Sequence, residues 1–275
     1  MNGFLDEAFE EAVCRVRRWR SAGLLEKLCD TPVQGRNARS FVASLRESKP
    51  LALIAEIKRA SPSGGMLRQE VDPPRQARTY LDSGAAAVSV LTESRWFGGS
   101  LDDFVAVRQA TSGSLLRKDF IVDEYDIEIS AAIGADAVLL IAARFDSIRL
   151  RELLDFARHL GMETLVETHS ERDAAVACEA GATIIGINSR NLQTLEVSLN
   201  TALRALERIP SDRVRVLESG IRSVQDVRAA VESGADAVLV GEVLMRSSDP
   251  ATTIRSLLSD AAQSPERMDS KPAIG

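Results

Sequence analysis

A Gly-Ala pair followed by a short apolar run occurs four times along the chain: at Gly84-Ala85 (SGAAAVSVL), Gly134-Ala135 (IGADAVLLI), Gly181-Ala182 (AGATIIGIN) and Gly234-Ala235 (SGADAVLVG). The intervals are 50, 47 and 53 residues. Each copy reads as a helix ending at a glycine that can take positive φ, then a strand whose unbroken apolar run suits a parallel sheet covered on both faces. One βα unit needs on the order of 25 residues, so each interval has room for a further strand. Candidates stand where they are needed: LALIAEIK (51–58) before the first copy, then SLLRKDF (114–120), METLVET (162–168) and RVRVLES (213–219) between the copies. Eight alternating units with right-handed crossovers predict an α/β fold, the (β/α)8 TIM barrel. The rival open, doubly wound sheet lacks its usual Gly-x-Gly-x-x-Gly after the first strand.

The barrel is expected over 49–258, as the catalytic domain. Residues 1–48 form an N-terminal helical extension packed on it, with helical periodicity over 5–28 and a stop at Pro32. The polar tail 259–275, with two prolines, is expected to be flexible. Amphipathic stretches at 147–160 and 223–233 read as outer helices, the second opened by a capping serine, Ser223.

Composition removes several functional classes. The net charge is −6 and the basic residues form no long block, which argues against a nucleic-acid partner or an anionic membrane surface. No apolar run approaches the roughly 20 residues that span a bilayer, and the acidic first 11 residues lack the order of a secretory signal, so a cytoplasmic location is expected. Cys14, Cys29 and Cys178 are odd in number with no Cys-x-x-Cys and read as buried or idle thiols. With only His159 and His169 present, neither an imidazole zinc site nor a His-centred triad is expected.

In such a barrel the C-terminal strand ends carry the chemistry. The first strand closes with Glu56 and Lys58, which share a side at i and i+2; the third with Arg117 and Lys118, of which only one can look inward; the fifth with Glu167; the seventh with Glu218. Burying several charges in an apolar barrel costs too much unless they pair or act, so this cluster is a candidate acid/base site. Asn188 and Arg190, in GINSRNL, add a hydrogen-bonding group and a cation for an anionic substrate. The loops after the last two strands, Glu218-Ser219-Gly220-Ile221 and Val240-Gly241-Glu242, suit a phosphate group, provided the Glu242 carboxylate points away. The loop at 59–74 has the glycine and proline content of a mobile lid.

These residues resemble one family. LIAEIKRASPSGG, LTESRWFGGS, LLRKDF, LVETH, GINSRNL, ESGI and VGEVLM, in that order over about 41–246, are similar to indole-3-glycerol-phosphate synthase. The resemblance implies a lyase of tryptophan biosynthesis. Such an enzyme closes, decarboxylates and dehydrates 1-(2-carboxyphenylamino)-1-deoxyribulose 5-phosphate, with no metal or organic cofactor and a phosphorylated small molecule as its only required partner. A monomer or weak homo-oligomer is expected. By resemblance Lys118 is the acid that protonates the ribulose oxygen, Glu167 the base, and Lys58 the carboxylate ligand and second acid. Glu56 and Glu218 hold the lysines and substrate hydroxyls, and Asn188 orients the substrate. Ser61, Ser219, Gly220, Gly241 and Glu242 would contact phosphate. Phe97, Phe120, Leu139, Leu192 and Leu239 would form the apolar wall; without the resemblance Leu139 and Leu239 read as core. Two alternatives carry different chemistry. One is a phosphoribosyl isomerase-like barrel, which would favour an Asp pair; the other is a catalytically silent barrel that binds a biosynthetic complex.

Overall fold

The computed structural model describes residues 3–30, 40–191 and 196–261. Pro32, Leu192 and most of the expected tail lie outside the described residues. Eight strands, β1 (Ala52–Ile57), β2 (Ala87–Leu91), β3 (Ser114–Lys118), β4 (Ala137–Ile141), β5 (Glu163–Thr168), β6 (Ile184–Asn188), β7 (Val214–Glu218) and β8 (Ala237–Val240), form a closed barrel. Every neighbouring pair is parallel, and β8 closes on β1 with Ala55 opposite Val240. This is the TIM barrel expected from the sequence.

The four Gly-Ala pairs act as the pattern requires. Gly84, Gly134, Gly181 and Gly234 have φ of 102°, 83°, 88° and 86°, a region costly for any residue with a Cβ, and each turns a helix end into the next strand. Two copies continue into aspartate for a reason the sequence does not announce. Asp136 accepts from the Leu115 amide at 2.9 Å and Asp236 from the Arg215 amide at 2.9 Å, which ties the start of β4 to β3 and of β8 to β7. At the other end, Asp72, Ser100, Asp123, Asp146, Ser170 and Ser223 each cap a helix by accepting from the amide three residues on. These caps satisfy amides that the first turn of each outer helix would otherwise leave unpaired.

The N-terminal segment covers both ends. α1 (Phe4–Ser21) and α2 (Leu24–Asp30) split the expected helical stretch at Gly23, whose φ is 60°. α1 lies across the mouth, with Phe9 edge-on to Phe120 and Arg15 bonded to Asp119 and Asp126. α3 (Phe41–Glu47) plugs the opposite end. There Glu163 accepts from the Ser40 hydroxyl and the Val42 amide at 2.7 Å each, and the Ser44 and Ser114 hydroxyls meet at 2.6 Å. Alanines at the strand starts, Ala52, Ala87, Ala137 and Ala237, share one buried cluster with Phe41 and Leu45; their small side chains leave the room these two fill.

The loop after β1 is anchored. It folds into a two-residue hairpin, Ala60–Ser61 against Gly65–Met66, and Arg59 bonds the Gly98 carbonyl and the Asp103 carboxylate. Arg246 donates to the Gly64 carbonyl (3.2 Å) and Arg68 to the Ser247 carbonyl (2.8 Å), fastening the hairpin to the end of the barrel sequence. Last in the described chain is the helix Pro250–Ala261. The three cysteines are free, Cys14 and Cys29 exposed and Cys178 half-buried.

Candidate active site

A cavity of about 340 Å³ opens at the C-terminal ends of the strands. β3 decides which of its two basic residues enters it. Arg117 turns outward and is wholly buried, bonded to Thr92, Asp119, Asp126 and Ser130, while Lys118 faces the cavity. Lys118 Nζ donates to Glu167 Oε2 at 3.0 Å and to Glu218 Oε2 at 2.5 Å, so one ammonium joins the ends of β3, β5 and β7. Asn188, at the end of β6, donates to Glu167 Oε1 at 3.0 Å and accepts from the Arg190 amide at 3.0 Å, which fixes its amide orientation. Glu56 and Lys58 pair with each other on β1's side of the mouth. Residue 186 on β6 must be glycine for this arrangement, because a Cβ there would lie 2.1 Å from Glu218 Oε1. Gly241 is held similarly small by Glu56, whose Oε1 would stand 2.5 Å from a Cβ.

Burial and pairing pull the two carboxylates apart. Glu167 is disfavoured as an anion by burial, but Lys118, His169 and Asn188 outweigh this and hold it well below the usual carboxylate range. Glu218 is pushed up to about 7 by burial, with Glu167 adding repulsion against the pull of Lys118. Burial opposes the charge on Lys118, yet Glu167, Glu218 and Glu56 more than restore it and keep the ammonium protonated well above its ordinary range. A carboxylate kept ionised, a carboxyl near neutrality and a protonated amine thus meet in one place, which is the equipment of acid/base chemistry.

The loops after β7 and β8 border the same cavity. Ser219 and Gly220 both have positive φ, 63° and 79°, and at the non-glycine Ser219 this is strained backbone of the kind that turns successive amides to one side. The Glu242 side chain bonds Arg246 Nε at 3.1 Å, so its charge is partnered beside the cavity that both residues border. Ser61 is buried at the cavity wall and accepts from the Gly64 amide. Arg190 also borders the cavity; burial lowers its pKa, as does the nearby Arg222. On the apolar side stand Phe97, Phe120, Leu139 and Leu239, the two leucines belonging to the buried core as well as to the wall. Every residue singled out from the sequence for catalysis or binding therefore borders this one cavity, except Leu192, which lies outside the described residues.

Other contributors were not singled out. Phe4, from α1, lines the cavity and packs on Trp96 and Phe120 at ring-centroid distances of 5.4 and 6.1 Å. Glu93 accepts from the amides of Arg95, Trp96 and Phe97 at 2.8, 2.7 and 3.1 Å, and so places Phe97. A carboxylate just after a strand, ahead of Ser-Arg-Trp-Phe, was the available signal for that role. Arg222 and Arg246 border the cavity with the loops after β7 and β8, and His169 stands 3.1 Å from Glu167. Among the described residues no three His, Cys, Asp or Glu side chains are grouped to hold a metal ion.

The family model for indole-3-glycerol phosphate synthase matches residues 7–257. The chain belongs to the indole-3-glycerol phosphate synthase family. Indole-3-glycerol phosphate synthase 2 of Streptomyces coelicolor is 46% identical over 258 residues, covering 94% of this chain and 100% of that one. An indole-3-glycerol phosphate synthase of Mycobacterium sp. (strain KMS) is 50% identical over 254 residues, 92% of this chain and 93% of the relative. Among solved structures, the 3-hexulose-6-phosphate synthase from Salmonella typhimurium superposes with a TM-score of 0.63 at 16% identity, covering 78% of this chain and 99% of that one. Thiamine phosphate pyrophosphorylase from Pyrococcus furiosus gives 0.58 at 17% identity, covering 78% and 97%. These two likenesses concern the barrel alone, whereas the family's own motifs supply the charged mouth.

Proposed function

We propose that this chain converts 1-(2-carboxyphenylamino)-1-deoxyribulose 5-phosphate into indole-3-glycerol phosphate, carbon dioxide and water, as a carboxy-lyase of tryptophan biosynthesis. The observation that carries the reading is Lys118 bridging Glu167 and Glu218 beside a strained turn suited to phosphate. The phosphate is held by the Gly220, Gly241 and Glu242 backbone with Ser61 and Ser219, and the aryl ring rests on Phe97, Phe120, Leu139 and Leu239. Lys58 and Arg190 face the substrate carboxylate, and Glu56 holds Lys58. The aryl carbon bearing that carboxylate attacks the ribulose carbonyl carbon, and Lys118 protonates the carbonyl oxygen as the new carbon–carbon bond forms. Carbon dioxide then leaves with restoration of the aromatic ring. The hydroxyl departs as water with a proton from Lys58, and Glu167 takes the ring-adjacent proton as the second double bond of the indole forms. Glu218 keeps Lys118 aimed, and Asn188 fixes Glu167 and the substrate.

We further take the chain to act alone on this small molecule, in the cytoplasm, as a monomer or weak homo-oligomer. Two features support this: no described helix is long and apolar enough to cross a membrane, and among the described residues the large exposed hydrophobics, Val13, Met66 and Ile148, are few. The deciding experiment supplies the carboxyphenylamino ribulose phosphate and follows indole absorbance and carbon dioxide. Wild-type protein forms both, and Lys118→Ala and Glu167→Gln each lose at least about a hundredfold in kcat, the scale of an acid/base group. A folded wild type that forms neither product would point to the silent-barrel alternative. Two variants that keep near-normal turnover would overturn the assigned roles.

A further inference from the structure

His169 follows β5 two residues after Glu167, so it leaves the strand on the same side. Its Nε2 lies 3.1 Å from Glu167 Oε1, the side chain is 15% exposed, and the ring is not among the groups that border the cavity. Glu167 therefore has Lys118 on Oε2, Asn188 on Oε1, and the imidazole behind it, away from substrate. The ring's own backbone is fixed, because the His169 amide donates to Asp173 Oδ2 at 3.1 Å in the first turn of the helix Glu171–Ala180. Nε2 is buried, is not aligned as a hydrogen bond to Oε1, and finds no other acceptor. The contact is thus an electrostatic one. A nitrogen this close to a carboxylate oxygen carries its proton, since otherwise two lone pairs would oppose each other.

We infer that His169 is a positioning residue for the indole-forming reaction, holding the Glu167 carboxylate from behind in the orientation that removes the substrate proton. This rests on the reading of Glu167 as the base. The groups facing the imidazole are Glu167, Glu218 and Asp173, all acidic; burial opposes its charge, but their combined field outweighs this and raises its pKa. Linkage makes the effect mutual: whatever Glu167 does to the titration of His169, His169 does to that of Glu167.

With two histidines in the chain, of which His159 is exposed, the imidazole signals separate cleanly in NMR. In wild type His169 titrates above the roughly 6.5 of a free imidazole. In Glu167→Gln it moves down while His159 stays. An unchanged His169 titration in Glu167→Gln overturns the inference. The kinetic arm compares His169→Leu with His169→Gln, whose amide can place an N–H where Nε2 stands. His169→Leu loses about tenfold in kcat with KM held within about twofold, and the acid limb of kcat moves to higher pH because Glu167 has lost a neighbouring positive charge; His169→Gln, which restores an N–H but no charge, recovers most of the kcat and leaves the acid limb shifted. A wild-type kcat and acid limb in His169→Leu, or equal impairment of the two variants, overturns the inference, and if His169→Leu does not fold the NMR arm decides. Near-normal turnover in Glu167→Gln would instead remove the reading of Glu167 as base, so the two failures are distinguishable.

Discussion

Glu218 is 1% exposed, and burial pushes its carboxyl up to about 7 from a usual 4.5. A carboxyl raised in the folded chain favours folding when protonated, so its stabilising contribution is whole below about pH 4.5 and is lost as pH rises through 7. The ionised form is tolerated because Lys118 stands 2.5 Å away, which is stability given up for a charged mouth. Glu218→Gln therefore raises Tm relative to wild type by more at pH 8 than at pH 5, read from thermal melts at both values. A Tm difference independent of pH would show that Glu218 is not the group titrating. Residue identity was legible here wherever charge stood at a strand end: Glu56, Lys58, Lys118, Glu167 and Glu218 sit in sequence where a barrel turns its chemistry outward. The choice between Arg117 and Lys118 was not legible from alternation alone. It follows from Asp119 and Asp126, which lie outside β3 and hold the guanidinium between them only once the helix Glu124–Ala132 packs back on the strand. His169 escaped notice for a similar reason. Its significance comes from distance to Glu167 rather than from any pattern of histidines.

At the scale of elements, the two ends of the barrel are closed by helices with different duties. α1 brings Phe4 to the cavity and Arg15 to the charged network behind Lys118, so it belongs to the site. α3 touches only the floor, where Phe41 is fully buried among strand-start alanines that cannot collapse far enough to replace it. Phe41→Ala accordingly costs about 3–5 kcal/mol, the usual range for a buried phenylalanine, measured by denaturant unfolding. KM at temperatures well below the unfolding transition stays at the wild-type value. A KM raised in step with lost stability would mean that floor and mouth are coupled. Helical periodicity announced that the N-terminal segment was helical, but not which face of the barrel each helix meets. That depends on partners such as Glu163, Ser114 and Asp119, which are about 70 to 120 residues away in the chain.

Taken whole, the molecule repeats itself at a longer interval than its βα unit. Gly134-Ala135-Asp136-Ala137-Val138 recurs as Gly234-Ala235-Asp236-Ala237-Val238, and at the same offset Lys118 matches Glu218, Leu139 matches Leu239 and Asp126 matches Asp226. Asp136 and Asp236 do the same structural work in both halves, bonding the amides of Leu115 and Arg215, while the strand ends differ, an ammonium and a carboxylate that meet across the mouth. The fold was therefore readable from repetition. The cavity was readable only as a convergence implied by closure, and the aromatic wall only through the resemblance, which named Phe97 and Phe120 but not Phe4, since the three come from separate segments whose meeting nothing local encodes. All of the functional account depends on those segments surrounding one phosphorylated sugar. A crystal structure with indole-3-glycerol phosphate bound tests this directly. The account places the phosphate against Gly220, Gly241 and Glu242, the indole between Phe97 and Phe120, and Lys118 and Glu167 within hydrogen-bond reach of the product. Product seated elsewhere, or at this mouth but beyond reach of both side chains, would contradict it.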